Sequence, residues 1–511
     1  MLAAGLMAIS PVMARADDDD AAAPANTPKT AKHASGSDAA PLVAVHAAGA
    51  TTVTLGSHDQ TATCRASFED GAAPLTLEKI GTGKITLIGP STYSGGLSVK
   101  GGTLALGNDG DASEDADALG TGLVTVTGNS VLRFGGNPVA KEIEPVPNNI
   151  QIDRGTLFCY AGNHHFTGRI TVAAGGAAIV THADGTDVSF DSDITGAGPL
   201  TIDGESGGTV HLTNDLSLMG TVTVKGPSPG FSGGRISLED PDALNQATLI
   251  TTAGMRGVVF AQKKRPFTVG AITGPGSIDL NGNTVWAGVL GTDFLYTGTL
   301  RDSAGGAGFA KIGKGTMTLA GAQNFTGRMS VYSGVLLVTS AIPCEIKVGD
   351  PKIPLTGATL MGSGPMGNVL LQTPGAVVQP GNSPGQPGML YAKNFSMTPG
   401  STLNVRLKNA AVTDVKEGGY DQVCATGQFS LSGNLQVSLL SGFQAKPGDA
   451  FYILITTGTA PVLGHFSNVI SEEITVDGHR FALSYTADHN ANDPLSKTGH
   501  DVALIVKADG P

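Results

Sequence analysis

Apolar and polar residues alternate along most of this chain in short runs of about four to six, and glycines separate the runs. Ile85 and Leu87, then Leu97 and Val99, are apolar at a spacing of two. Each run therefore has one face suited to burial, which is the pattern of a short β-strand. The glycines between the runs allow tight corners with positive φ. The pattern predicts units of two or three strands with no helix.

The units repeat. Residues 79–104 align without a gap on residues 311–336. Gly81, Gly83, Gly89, Gly95 and Gly102 fall on Gly313, Gly315, Gly321, Gly327 and Gly334, Tyr93 on Phe325, and Ser98-Val99 on Ser330-Val331. Residues 160–175 form a third copy, and partial copies begin at Ile194 and Ile272. One unit cannot bury its apolar face alone, but stacked units can. Coiling such units pairs strands of successive rungs about 4.8 Å apart. A β-sandwich array is the competing arrangement. Glycine corners in place of Asn-Gly or Asp-Gly hairpin loops favour the coil. The expectation is an all-β, single-stranded parallel β-helix (a solenoid) over residues 51–388, with Leu87, Val99, Leu319 and Val331 pointing inward.

Residues 389–511 change character. Strands lengthen, as in residues 402–407, 434–439 and 451–455, and aromatics gather at Phe443, Phe451, Tyr452, Phe466, Phe481 and Tyr485. An open final rung is a template for edge-to-edge aggregation, and repeat arrays need terminal caps. This segment is expected to be a distinct β-rich C-terminal cap that helps the coil to fold.

At the other end, residues 2–13 are apolar but too short to span a bilayer, which takes about 20 residues. Ala14-Arg15-Ala16 follows, the small-x-small pattern of a signal-peptidase site. Residues 1–16 read as a signal peptide cleaved after Ala16. Its usual basic opening is missing, which points to truncation at its start. Residues 17–50, rich in Ala, Pro, Asp, Ser and Thr, read as a disordered leader. No later stretch is long and apolar enough for a transmembrane helix.

Composition narrows the function. The net charge is −12 and the pI about 5.3, which argues against nucleic acid as a partner. The one basic knot, Lys263-Lys264-Arg265, reads as a solvated turn. Cys64, Cys159, Cys344 and Cys424 are far apart with no Cys-x-x-Cys, so neither a zinc site nor a redox motif is supported. They read as buried free thiols, although export would permit disulfides.

Candidate chemistry is sparse. Gly-x-Ser-x-Gly occurs around Ser206, Ser228, Ser232 and Ser383. Pro229 and Pro384 lack the N–H that an oxyanion hole needs, and no strand-to-helix pattern surrounds the other two. Residues 362–367 fit Gly-x-Gly-x-x-Gly but open no helix. His164 and His165 are neighbours on a strand and point to opposite faces, so they do not share a metal. Asp109, Asp111, Asp115 and Asp117 resemble the opening of a calcium loop, without its turn glycine or closing glutamate. Asp488 to Asp493 begins the same way. Asp191 and Asp193 share a predicted strand face and could do acid–base work on a polysaccharide, but Asp203 and Glu205 have the same spacing. Sugar-processing clefts present aromatic platforms, and Trp286 is the sole tryptophan. No catalytic residue and no cofactor is assigned.

The Gly-x-Gly corners, the Tyr93 and Phe325 positions and the Val-x-x-Gly strands together resemble the autotransporter-associated β-strand repeat of bacterial exported proteins. Leu119 to Val126 is similar to the linker strand that follows such repeats. Pro380-Gly-Asn-Ser-Pro-Gly385, and the segments after Tyr420, Leu431 and Pro447, are similar to the end of such passengers. The resemblance covers roughly residues 75–506. It implies a parallel β-helix that is exported to the cell surface, secreted or outer-membrane associated, with the periplasm as a further location. No membrane barrel is read in these residues. The expected function is a non-enzymatic stalk for adhesion or display, with surface glycans or proteins as partners. The alternatives are a β-helix enzyme acting on polysaccharide and a fragment of a full autotransporter.

Overall fold

A computed structural model describes residues 43–46, 51–59, 61–109, 116–136, 145–182, 185–204, 208–214, 216–225, 235–252, 257–261, 265–353, 357–410, 419–440 and 442–508. The expected signal peptide and most of the leader lie outside these residues. So do Asp111, Asp115, Ser206, Ser228, Ser232, Lys263, Lys264 and the side chain of Asp109. The chain divides into two compact units, residues 1–200 and 201–511. Each is a parallel β-solenoid.

In the first unit one ladder runs through Thr52–Leu55, Thr76–Lys79, Leu97–Val99, Val124–Thr127, Ile150–Asp153, Ile170–Val172 and Ile194–Gly196, all parallel. Its register places Val53, Leu77, Leu97, Val124, Ile150, Ile170 and Ile194 one above another, all buried. A second ladder stacks Ile85, Leu104, Leu132, Leu157 and Ile179. Alternation therefore does in a coil what it does in any half-buried strand, with the inward set repeated from rung to rung. Phe134, Phe166 and Phe190 fill the interior, the last two stacked at 5.0 Å between ring centroids. Among the described residues the helical element is one 3-10 turn, Ala116–Leu119, where Asp117 is exposed.

In the second unit, a ladder from Thr221–Lys225 through Gly308–Lys311 and Arg328–Val331 continues to Phe429–Leu431 and Leu463–Gly464. Another runs from Phe294–Tyr296 through Thr316–Leu319 and Gly334–Val338 to Asn434–Leu439. Parallel pairing thus passes straight through the boundary expected at residue 388. Longer strands with more aromatics are still alternating strands, and their length does not set the direction of pairing. The direction changes later. Ala450–Thr456 receives Asp501–Val506 antiparallel, and His479–Ala487 and Glu473–Val476 add to it as a hairpin. The Asn468 side chain lies along Asn434–Leu439, the last strand of the second of these ladders. Its Oδ1 accepts from the Leu435 N–H at 2.8 Å and its Nδ2 donates to the Leu435 carbonyl at 2.8 Å.

The repeat glycines act in two ways. Gly81, Gly89, Gly102, Gly313 and Gly334 have positive φ. Gly83, Gly95, Gly315, Gly321 and Gly327 do not, contrary to a uniform role in left-handed corners. At Gly95, Gly315, Gly321 and Gly327 a Cβ would lie no further than 2.5 Å from a carbonyl oxygen of another rung, so close backbone approach excludes a side chain. Leu87, Val99, Leu319 and Val331 are buried. All four cysteines are free thiols; Cys159, Cys344 and Cys424 are buried, and burial pushes the Cys344 thiol up to about 11.

Each full repeat also carries a buried lysine that alternation alone did not single out. Lys79 donates to the carbonyls of Ile80, Gly81 and Gly101 at 2.8–3.0 Å. Lys311 donates to those of Ile312 at 2.6 Å, Gly313 at 2.8 Å and Ser333 at 3.3 Å. Both are fully buried. Each ammonium spends its three protons on carbonyls of its own corner and of the next rung's corner, and so ties two rungs together.

Lys311→Met keeps the volume and removes the donor, leaving buried carbonyls unsatisfied at a cost of about 1–3 kcal/mol. Burial pulls the Lys311 amine from 10.5 down to about 8 in the folded chain. The unfolded chain holds that proton to about 10.4, so in this window the unfolded state binds more protons and stability rises with pH. Urea melts of wild type against Lys311→Met should show the difference shifting in favour of wild type from about pH 8 to about 10. A difference that does not vary with pH would count against this titration.

Candidate functional site

The polar residues that the sequence offered do not converge. His164 is buried, with Nε2 3.0 Å from the Ala161 carbonyl oxygen, while His165 faces out with Nδ1 3.3 Å from Asp191 Oδ2. The two rings point to opposite faces. Asp191 and Asp193 do not share a strand face, because the strand ends at Phe190. They lie in the corner that follows, Asp191 against His165 and Asp193 3.9 Å from Arg169. Asp488 and Asp493 accept from the backbone N–H groups of Ala491 and Leu495 in their own turns. Among the described residues no group of three or more His, Cys, Asp or Glu side chains could hold a metal.

The Pro380-Gly-Asn-Ser-Pro-Gly385 segment has a structural task. Arg406 Nη1 donates to the carbonyls of Ser383 at 2.5 Å and Pro384 at 2.6 Å, and Nη2 to that of Pro380 at 2.5 Å. The same guanidinium grips Asp421 through Nε at 2.7 Å and Nη2 at 2.9 Å. Asp421 also accepts from the N–H groups of Gly388 and Arg406, both at 2.8 Å. The pair is almost fully enclosed. Two prolines remove N–H groups from this loop, and Arg406 supplies the donors for carbonyls that no strand reaches. Ser383 is thus part of a clamp rather than a nucleophile elbow.

Two outward aromatic groups stand out on the strand faces. In the first unit, the Arg133 guanidinium lies 5.3 Å from the Phe158 ring centroid and 4.7 Å from that of Tyr160, and His182 stacks on Tyr160 at 5.2 Å. The protein's own cation already covers this platform. In the second unit the aromatic group borders open space. Register gives two outward rows: Thr284, Gly308, Arg328 and Glu345, and beside it Trp286, Ala310, Ser330 and Lys347. The small residues Gly308 and Ala310 leave a groove of about 520 Å³ between larger neighbours, bordered by Thr284, Arg328, Ser330, Tyr332 and Glu345. Trp286 packs edge-to-face on Tyr332 at 5.8 Å. The Trp286 Nε1 is buried without a hydrogen-bond partner. Arg328 Nε is 3.5 Å and Lys347 Nζ 3.8 Å from Glu345 Oε1. An aromatic wall, one carboxylate, one cation and two hydroxyls can hold a polar ring by stacking and hydrogen bonds. Sequence reasoning named Trp286 only as the sole tryptophan, against a sugar-processing cleft, and missed the groove because it depends on which outward residues register brings together.

Residues 77–106 and 309–338 each match the passenger-associated-transport-repeat family. The chain is 27% identical over 281 residues to the adhesin BmaC autotransporter of Brucella suis, covering 53% of this chain and 7% of the relative. It is 26% identical over 292 residues to an extracellular serine protease of Serratia marcescens, covering 54% of this chain and 26% of the relative. The chain thus spans only a small part of either relative. The fold and the repeats together define a passenger-like β-helix of the autotransporter type. This chain carries two passenger-associated transport repeats. Among the described residues no helix is long and apolar enough to cross a membrane.

Removing one partner of an enclosed ion pair leaves a buried charge, at a cost of about 3–5 kcal/mol. Arg406→Met should lose that much in guanidinium melts, and Arg406→Met with Asp421→Leu should regain part of it. A single variant as stable as wild type would remove the clamp from the fold's essentials.

Proposed function

We propose that this chain works outside the cytoplasm of a bacterium as a non-enzymatic passenger, a β-helical stalk whose outward faces attach to surface glycans or proteins. The observation that supports this most is the contrast within the two repeats. Inward positions are alike (Leu77 and Phe309, Lys79 and Lys311, Leu97 and Met329, identical Val99 and Val331), while several outward ones differ (Thr76 and Gly308, Glu78 and Ala310, Lys100 and Tyr332), with Ser98 and Ser330 kept. Such a scaffold keeps its core and varies its surface, which suits binding. The adhesin relative favours the same reading. Residues 1–16 would direct export and be removed after Ala16, and the leader that follows would link to the coil, which Val43–His46 already joins as a strand parallel to Ala66–Glu69, contrary to a disordered leader reaching residue 50. The protease relative gives the second reading, and Ser383 in its clamp does not favour it.

Epitope-tagged full-length chain, expressed in a Gram-negative host, should be recovered in the periplasmic, surface or medium fractions. Beads coated with it should adhere to host-cell monolayers, and a fluorophosphonate probe should label no serine. Recovery only in the cytoplasm, or serine labelling with peptide hydrolysis, would reject the proposal.

We further assign the capping role to the antiparallel strands and the Asn468 segment rather than to all of residues 389–511. Deleting residues 465–511 should yield aggregation and slow, incomplete refolding on dilution from urea, followed by light scattering. A monomeric product that refolds like the intact chain would refute the role.

A further inference from the structure

The groove over Gly308 and Ala310 has an internal control. The two full repeats align without a gap, so the groove positions within residues 309–338 have counterparts in the first copy. There Glu78 stands for Ala310 and Lys100 for Tyr332, and these two side chains meet in an ion pair with Lys100 Nζ 2.5 Å from Glu78 Oε1. The first copy therefore spans its outward face with charge on charge. The second copy has withdrawn one side chain to a methyl group and replaced the other by an aromatic ring braced by Trp286. The inward residues that build the rung stay apolar or identical, with Phe309 for Leu77, Met329 for Leu97 and Val331 for Val99. The difference removes a surface interaction and opens a bordered space, which stability alone does not require.

The chemistry around that space selects a ligand. Tyr332 offers an aromatic wall to an apolar ring face. Arg328, with 56% of its side chain exposed, is the cation on the groove's lining and stands beside the carboxylate of Glu345. Arg328 meets Glu345 at 3.5 Å without a short hydrogen bond, so its guanidinium keeps donors for an incoming carboxylate. Glu345 accepts from hydroxyls, and Ser330 and Thr284 supply further hydroxyl groups on the two adjoining rows. A ring with one C–H face, several hydroxyls and a carboxylate answers every one of these groups. We infer that the groove binds a uronic-acid residue of an acidic polysaccharide. The ring lies against Tyr332, its carboxylate on Arg328 and a hydroxyl on Glu345. This assignment rests on the reading of the chain as an attachment stalk and names what one site on it holds.

Affinity electrophoresis of the full chain in gels containing polygalacturonate, neutral dextran or poly-glutamate tests it. Polygalacturonate should retard wild type, and dextran and poly-glutamate should not. The double variant Ala310→Glu with Tyr332→Lys rebuilds the surface pair that the first copy already tolerates, so it should fold, as circular dichroism and melting would verify. It and Arg328→Gln should each weaken retardation by about tenfold or more, the loss expected for a charge-assisted hydrogen bond or a stacked ring. No retardation of wild type, or equal retardation of the folded double variant, would overturn the assignment. Stronger retardation by poly-glutamate would replace it with an acidic protein partner. Export and bead adhesion of the double variant, measured alongside, separate the two ideas. A variant that is exported but no longer retarded supports the groove, while wild type that binds polygalacturonate without export would count against the stalk alone.

Discussion

Each rung of a parallel coil must repeat the turn of the rung before it, and the corners are where this is hardest. Strand backbones satisfy one another across the ladder, but at a corner the carbonyls turn away from the ladder and crowd their neighbours. Glycine solves the crowding, since four repeat glycines with ordinary φ sit where any Cβ would strike a carbonyl of another rung. Lysine solves the polarity, with Lys79 and Lys311 each bridging carbonyls of two successive corners. With the corners fixed in register, the inward aliphatic columns follow from alternation. The rest of the fold depends on that register.

The clamp at Arg406 extends the same logic to a loop that no rung can pair. Prolines deprive the Pro380–Gly385 stretch of donors, and a guanidinium supplies them from the neighbouring strand, held in turn by Asp421. A buried charge is tolerable there because each of its donors is matched. The coil thus uses cations inside where a compact domain would use hydrophobic contacts, because a narrow tube of strands has many turned carbonyls and little volume.

Much of the coil was legible in the sequence. Spacing-two apolar residues such as Leu97 and Val99 and the gapless copies headed by Lys79 and Lys311 give strands and repetition directly. The lysines themselves were visible as identical residues, but alternation says only that such a position faces inward, not that three carbonyls await it. The parallel pairing beyond residue 388 was not legible, since long strands such as Thr402–Leu407 look alike in either direction. The paired carboxylates Asp191 and Asp193 misled because a strand was read through a corner. The groove was out of reach for another reason. It is defined by Gly308 and Ala310, two unremarkable residues, and by Trp286, Arg328 and Glu345, which register brings onto adjoining rungs from distant points of the chain.

Asn468 bears on a different property. A coil built from near-identical rungs has no intrinsic length, because the last strand offers the same edge as every other and would accept another copy of itself. One carboxamide, presenting an oxygen to the Leu435 N–H and a nitrogen to its carbonyl, imitates the peptide group that would come next. It occupies one position on the open edge of this ladder without carrying the pattern forward. Under the proposed capping role, such a mimic makes the coil an object with a fixed number of turns rather than the first segment of a fibre.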